Sequence, residues 1–428
     1  MLIIGFAEGA LPAKGGLGLV GLTGILGGLA RRGHKVALIA CGGCTPGRER
    51  FLAPTVDEAL SRTEGAGFFG VVTFKAARAW AFAPAMLWRL NRHVRRADFV
   101  SLHSLYSFPV FAGYLLARFH GVPYGLWPHG VLAAVQRKVS ARKKRIYDSL
   151  IARSIMKHAA VLFFSAAGER DEALTFGLNT PSVIIPDGMD VSEFAALPPR
   201  GRFRSRYFAD HQGPLVISLG RLNAKKGLDL LIDAMAEVIR LRPSARLAII
   251  GPPDPPHFRE RVMKWLKQKH IESNTVLAGP LDPMEKLEAL ADADVLVSSS
   301  EAENFGFSVF EAMASRVPVV VSNTLDYAQE IARAGAGFAA ARERDSFAEA
   351  IVQLLDDQDL RRETGLNGAL FVKRFSMENT GLKIERTIDN ILNQRPVSLD
   401  TPDTGGCEDL TAASKKPARD TAASSKLA

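Results

Sequence analysis

What most constrains this chain is a rhythm that occurs twice. Short runs of Val, Ile, Leu and Phe alternate with helix-length amphipathic segments along nearly four hundred residues. In the first half the runs are Met1–Phe6, Lys35–Ala40, Phe69–Phe74, Asp98–Leu102, Val122–Trp127, Ala160–Phe164 and Ser182–Ile185. Helical patterns such as Leu17–Arg32, Arg78–Arg95 and Leu105–Phe119 lie between them. In the second half the runs are Leu215–Leu219, Arg246–Ile250, Thr275–Ala278, Asp294–Ser298 and Pro318–Val321, with helices near 228–241, 257–270, 284–291, 308–315 and 326–333. Apolar runs without a polar face suit parallel strands covered on both sides. Strict βα alternation, repeated, predicts an α/β protein of two Rossmann-like doubly wound domains facing a cleft.

At 428 residues the chain exceeds one ordinary core. The pattern places a first, acceptor-side domain over 1–198 and a second, nucleotide-binding domain over 199–375. A helix over 376–394 crosses back to the first, and the hinge is read at Leu197-Pro198-Pro199-Arg200-Gly201. Residues 395–428 are rich in Thr, Ala, Ser, Asp and Lys and have too little apolar surface to order, so a disordered tail is expected.

The net charge of +9 is unevenly spread. Residues 1–200 hold 24 Lys and Arg against 13 Asp and Glu, and the rest hold 30 against 32. Between Lys75 and Arg145 there are 13 basic residues and one acid, Asp98. They cluster at Arg89, Arg92, Arg95 and Arg96, with Trp80, Phe82 and Trp88 nearby, and again at Arg137, Lys138, Arg142, Lys143, Lys144 and Arg145. An anionic partner of the first domain follows, such as a lipid surface or a phosphorylated acceptor. No nucleic-acid module pattern accompanies the charge, so nucleic acid is not expected. Three cysteines, Cys41, Cys44 and Cys407, make no disulfide framework, and Cys41-Gly-Gly-Cys44 has no second pair or nearby His to hold zinc. Met1-Leu2-Ile3-Ile4 lacks a basic start and cleavage site, and Gly15–Ala30 is too short and glycine-laden to span a bilayer. The expected location is cytoplasmic, peripheral at the inner membrane face.

Two constellations carry chemistry. The strand ending in Ser218-Leu219-Gly220 runs into Arg221-Leu222-Asn223-Ala224-Lys225-Lys226-Gly227, which opens a helix. Arg221 and Lys226 therefore lie at the C-terminal edge of a parallel sheet, where such folds bind ligands. An Arg fork and a mobile Lys suit a diphosphate. The strand Asp294–Ser298 runs into Ser300, Glu301, Glu303 and Gly306, then a helix carrying Glu311 in its first turn. Gly306 lets backbone amides approach a ligand, and paired carboxylates suit the hydroxyls of ribose and hexose. Ser308-x-x-Glu311 and Ser300-x-x-Glu303 also have capping-box spacing, which gives both glutamates a purely structural reading. Asp292-Ala293-Asp294 is a D-x-D of the sort that holds metals elsewhere. It falls between a helix end and a buried strand, and the pattern recurs at Asp357-Gln358-Asp359, so no metal site is expected.

Glu303-Asn-Phe-Gly-Phe-Ser-Val-Phe-Glu311-Ala-Met-Ala, with Val317-Pro318-Val319-Val320-Val321 behind it, resembles the E-x7-E segment of the retaining glycosyltransferases of family 4, which have the GT-B fold. Gly220-Arg221-Leu222 through Lys226-Gly227, Pro186-Asp187-Gly188-Met189-Asp190, Gly15-Gly16 and Arg32-Gly33-His34-Lys35-Val36 are similar to further stretches of that family, so the resemblance covers about residues 1–392. It implies that Arg221 and Lys226 bind the diphosphate of a UDP- or GDP-linked sugar. Glu303 would contact the donor sugar and Glu311 the ribose. Asn304, Phe305, Gly306, Phe307, Ser308 and Val309 would bring backbone amides to sugar and phosphate. His129, in Trp127-Pro128-His129-Gly130, would face the sugar from the first domain, with Gly16 close to the diphosphate. Gly251 and Leu281 would neighbour the nucleotide, although Pro252-Pro253-Asp254-Pro255-Pro256 replaces the usual glycine-rich turn there. The implied activity is metal-independent hexosyl transfer, without a cofactor, to a glycan or lipid-linked acceptor of cell-surface polysaccharide or glycolipid synthesis. The rival readings are a nucleotide-sugar 2-epimerase of the same fold and a non-catalytic partner protein. Retention of Arg221, Lys226, Glu303 and Glu311 together speaks against the latter.

Overall fold

The computed structural model describes residues 1–8, 19–41, 51–63, 69–77, 79–132, 147–177, 179–209, 213–303 and 305–397. Gly15, Gly16, Cys44, Asn304, Cys407, the basic run Arg137–Arg145 and the tail from Ser398 lie outside these residues.

Seven strands form the first sheet: β1 (Leu2–Ala7), β2 (Lys35–Cys41), β3 (Gly70–Phe74), β4 (Phe99–His103), β5 (Tyr124–Trp127), β6 (Val161–Phe164) and β7 (Ser182–Ile184). Their order is β3-β2-β1-β4-β5-β6-β7. Six form the second: β8 (Leu215–Leu219), β9 (Arg246–Ile250), β10 (Thr275–Gly279), β11 (Val295–Ser298), β12 (Val319–Ser322) and β13 (Gly337–Ala340), in the order β10-β9-β8-β11-β12-β13. Every pairing between these strands is parallel. Each sheet carries core on both faces, as the apolar runs require. Along β1, Ile4 and Phe6 enter one cluster while Ile3 and Ala7 enter the other. Along β8, Leu215, Ile217 and Leu219 alternate with Val216 in the same way. Strand order reverses at β1/β4 and at β8/β11, so each domain has a switch point at which ligands bind.

Two expectations are corrected. The segment 78–95 is not one helix. A short 3-10 turn at Ala79–Ala81 holds Trp80 and Ala81 at positive φ, and an α-helix begins only at Ala85, after Pro84. Proline lacks the N–H and clashes with the preceding turn, so the pattern had to break there. The chain also crosses to the second domain earlier than Pro198-Pro199, because Met189 and Phe194 already pack in the second core. Arg200 is likewise committed to that domain, donating to Asp294 Oδ1 and to the Asp292 carbonyl, each at 3.1 Å. Strand β13 and the helices Arg344–Asp356 and Gln358–Phe371 fill the second domain between residues 337 and 371.

The return crossing matches expectation. Helix Met377–Leu392 lays Ile384 and Ile388 into the core of the first domain. It crosses helix Gly28–Arg31 at Gly28 and Gly381, in contact too close for any side chain. Arg31 bridges Asp190 and Glu378, Arg32 pairs with Glu385, and His34 Nε2 lies 3.0 Å from Glu385 Oε1. The outgoing crossing is equally tight. A Cβ on Gly24 would sit 1.7 Å from the Gly188 carbonyl oxygen, and the helix around it relaxes into a π-turn at Thr23–Gly27. Among the described residues no helix is long and apolar enough to cross a membrane.

Candidate active site

Both constellations read from the sequence leave the C-terminal ends of β8 and β11, the two strands that flank the second switch point. The loops are tied together. Ser299 Oγ donates to the carbonyls of Lys226 and Gly227, both at 2.9 Å, and Glu301 N donates to the Lys225 carbonyl at 2.8 Å. At the end of β9, Gly251 packs on Gly220 so closely that a Cβ would lie 1.9 Å from the Gly220 oxygen; both have positive φ, which favours glycine.

The charged side chains are paired. Lys226 Nζ donates to Glu303 Oε1 at 2.5 Å, and Ser300 Oγ donates to the same oxygen at 2.7 Å. Arg221 Nη1 donates to Asp254 Oδ2 at 2.7 Å. Lys286 Nζ donates to Glu311 Oε1 at 2.7 Å. Arg221 and Asp254 are half-exposed, whereas Lys226, Glu303 and Glu311 are largely covered. Sequence reasoning missed Asp254 and Lys286. Asp254 comes from the proline-rich turn, which bonds onto the Arg221 loop through Leu222 N to the Pro252 carbonyl and Asp254 N to the Leu222 carbonyl. Its signal was one acid amid four prolines.

The capping reading of the glutamates falls. Helix Phe307–Ala314 starts from Gly306 in the left-handed region with no side-chain cap, so Ser308 lies inside the helix and Glu311 lies past its first turn. Ser308 is half-buried. Phe305 and Val309 are buried, and the Phe305 ring stacks on Phe310 at 4.3 Å, so only their backbone is available to a ligand. Phe307 reaches the first domain, where its ring lies 3.6 Å from the Cβ position of Gly21. Leu281 follows β10, two strands from β8, and is half-buried against the second core. The Asp292-Ala-Asp294 pair holds the incoming chain instead of facing the cleft. Asp292 accepts from the amides of Gly201 and Arg204, and Asp294 Oδ2 accepts from Leu215 N and Arg204 Nη2, both at 2.8 Å.

Facing this edge, the first domain presents buried imidazoles and buried acids. His129 is buried at φ 54°, its Nε2 3.1 Å from His103 Nδ1. Burial lowers the His129 pKa to about 3 and pushes His103 well below the usual imidazole range. The next residue, Gly130, donates its amide to Glu169 Oε1 at 2.5 Å. Glu169 Oε2 accepts from the amide and hydroxyl of Ser165, both at 2.9 Å, and burial still raises its pKa. Asp187, also buried, is pushed up to about 8 by desolvation and then by Glu169. Tyr327 of the second domain donates to the Ser165 carbonyl at 2.5 Å and so joins the two edges. Cys41 is buried, and its thiol is pushed up to about 12 by burial and by Glu8, which suits core packing more than redox chemistry.

Comparison with known proteins agrees with this architecture. Residues 20–188 match the family described as glycosyl transferase 4-like domain, and residues 200–371 match glycosyl transferases group 1. The phosphatidyl-myo-inositol mannosyltransferase of Mycobacterium leprae is 26% identical over 323 residues, covering 72% of this chain and 78% of that one. A GDP-mannose-dependent monoacylated alpha-(1-6)-phosphatidylinositol monomannoside mannosyltransferase of Corynebacterium glutamicum is 28% identical over 232 residues, 52% of this chain and 58% of its own length. Among solved structures, Anabaena HepE in complex with UDP and glucose shares the fold, with TM-score 0.70, 16% identity and coverage of 91% of this chain and 100% of that one. With both halves matched and both sheets wound alike, the chain belongs to the family 4 glycosyltransferases of GT-B fold.

Proposed function

We propose that this glycosyltransferase works with retention and without a metal, moving a hexosyl group from a UDP- or GDP-linked donor to a lipid-linked or phosphorylated glycan acceptor. The observation that carries the reading is the set of paired charges around the β8/β11 switch point: Lys226 with Glu303, Arg221 with Asp254, Lys286 with Glu311. Each cation can exchange its carboxylate for a phosphate oxygen, and each freed carboxylate can accept sugar hydroxyls. In the transfer the bond from C1 to the diphosphate oxygen breaks as the acceptor oxygen bonds C1 on the same face. The departing phosphate takes the acceptor's proton. Arg221 and Lys226 stabilise the charge that grows on the leaving group, Glu303 orients the sugar, Glu311 holds the ribose, and His129 covers the sugar from the first domain. Gly16 and Asn304 are assigned beside the donor on resemblance alone.

The acceptor side is read from the first domain's surface. Phe82, Trp88, Leu115, Phe119 and Leu150 are exposed around three helical segments there, among Arg89, Arg95, Arg96 and Arg118. Basic residues near an anionic surface contribute about 1 kcal/mol each, and exposed aromatics add apolar contact. This supports a peripheral enzyme at the cytoplasmic membrane face, and the relatives named above act on phosphatidylinositol-linked acceptors.

Two measurements test the reading. In a panel of nucleotide sugars, one should undergo slow hydrolysis that releases the sugar with the donor's own anomeric configuration, read by NMR. Inversion would overturn retention, and conversion of the donor to its 2-epimer would replace the transferase reading with an epimerase. In liposome co-sedimentation, binding should require anionic vesicles, weaken with salt and drop when Arg89, Arg95 and Arg96 become Ser. Equal recovery from neutral and anionic vesicles removes the membrane reading.

A further inference from the structure

The donor-facing reading of His129 leaves open how a buried imidazole at positive φ is held and which of its nitrogens carries the proton. Ser101 and His103 alternate along β4 and so share a face of the sheet, and His103 lies in register with Trp127 of β5. The rings form a stack. Phe163 lies 3.7 Å from Trp127 at 7°, Trp127 5.1 Å from His103 at 25°, and His103 5.4 Å from His129 at 22°. The hydrogen-bond line runs the same way, from Ser101 Oγ to His103 Nε2 at 2.7 Å and from His103 Nδ1 to His129 Nε2 at 3.1 Å.

The direction of that line follows from counting protons. Each neutral imidazole has one N–H. Ser101 is 1% exposed, and its hydroxyl has His103 as its one hydrogen-bond partner among the described residues. Were it to accept from His103, its own proton would be buried with nothing to bond, a costlier defect than an unused lone pair. The hydroxyl therefore donates to His103 Nε2. That places the His103 proton on Nδ1, from which it is donated to His129 Nε2, and the remaining proton of His129 must sit on its Nδ1.

We infer that His103 is a positioning residue for the transfer: with Ser101 behind it, it fixes the His129 ring in place as the Nδ1–H tautomer, a neutral hydrogen-bond donor. Such a donor suits an oxygen of the sugar and adds no charge beside the diphosphate. Burial holds both rings neutral, so the His103–His129 pair keeps one protonation pattern across the working pH range. The inference rests on the reading that His129 meets the donor sugar, and the test separates the two.

Imidazole 15N NMR of the whole protein should show Nδ1 protonated and Nε2 unprotonated in both His103 and His129 from pH 5 to 9. Ser101→Ala, which removes the terminal donor with little change in volume, should shift His129 toward Nε2–H and lower kcat/KM for donor about tenfold, the scale of one hydrogen bond. Ser101→Thr, which keeps the hydroxyl, should restore both. His103→Phe keeps the ring stack but leaves the buried Ser101 hydroxyl unbonded, so it should lose kcat/KM to at least the same extent and melt below wild type. A wild-type His129 protonated on Nε2 overturns the inference. So do Ser101→Ala and His103→Phe enzymes that match wild type while His129→Ala is impaired. If His129→Ala itself transfers normally, the parent reading of His129 falls first.

Discussion

The second-domain edge of the cleft is a set of ion pairs, while the first-domain edge is a stack of neutral rings and buried acids. On the former, three cations each hold a carboxylate from a neighbouring loop or helix, within 2.5–2.7 Å. On the latter, His103 and His129 are buried and neutral, and Glu169 and Asp187 are pushed toward their protonated forms. The contrast suits the nucleotide sugar proposed above as donor. Its diphosphate needs mobile positive charge that can be traded between partners. Its hexose needs fixed donors and acceptors that add no competing field. A site built this way keeps its charge balanced before the donor arrives, and leaves the sugar side unresponsive to the exchange.

The sharpest way to break the comparison is to remove charge from the paired edge. Arg221→Ala or Lys226→Ala should lower turnover on the order of 100-fold or more, the scale for losing one preorganised donor to developing negative charge. Arg221→Ala should melt within a few degrees of wild type, because an ion pair this exposed contributes only about 0–1 kcal/mol. Lys226→Ala takes the cation from a largely covered Glu303 and should melt lower. Steady-state kinetics with circular dichroism melts checks this. Near-normal turnover in both would remove the diphosphate assignment.

A smaller effect is expected at Glu311. With no capping role left, Glu311→Gln tests ligand contact and the Lys286 pair. It should raise the Michaelis constant for donor about tenfold, the difference between a charged and a neutral acceptor to a diol. A variant that loses stability yet binds donor normally would make the Lys286 pair structural.

These two predictions differ in how far the sequence foresaw them. The strands, the double winding and the loops bearing Arg221, Lys226, Glu303 and Glu311 were legible because apolar periodicity and strand-to-helix turns are local signals. The partners Asp254 and Lys286 were not, since they are brought to the site by β9 and by the helix after β10, and pairing across strands leaves no local trace. Ser101 and His103 were equally hidden: a Ser and a His two apart on a buried strand read as ordinary core. The capping spacing of Ser308-x-x-Glu311 is not realised, because Gly306 in the left-handed region starts the helix before Ser308 can cap it.

On the first-domain edge the handle is pH. Asp187 has a folded-state pKa of about 8, above its ordinary carboxyl value, so the folded protein binds more protons than the unfolded chain between roughly pH 4 and 8. Stability should therefore fall as pH rises through that window. Asp187→Asn, neutral in both states, should flatten the fall and melt a few degrees higher than wild type at pH 8. Melting temperatures at pH 5 and pH 8 decide it, and equal slopes for the two proteins would mean that Asp187 is ionised in the fold.

The smallest expected effect is none at all, and it bears on the comparison as a whole. If the paired edge supplies the positive charge, a chelator should leave transfer unchanged. Arg221 and Lys226 lie on the β8 loop, and the uncapped N–H groups of helix Phe307–Ala314 begin at the end of the β11 loop, so cations and a helix dipole are positioned together for a dianionic leaving group. The D-x-D pair precedes β11, at the opposite end of that strand from Glu303, and its oxygens are occupied by Gly201, Arg204, Leu215 and Arg200. A metal bound there would have to unpin the chain entering the second domain, and would still sit a strand's length from the diphosphate. Initial rates with and without excess EDTA should agree within error. Loss of transfer on chelation, with recovery in magnesium or manganese, would mean that a divalent ion carries the charge assigned to Arg221 and Lys226, and the two edges would then differ in geometry more than in chemistry.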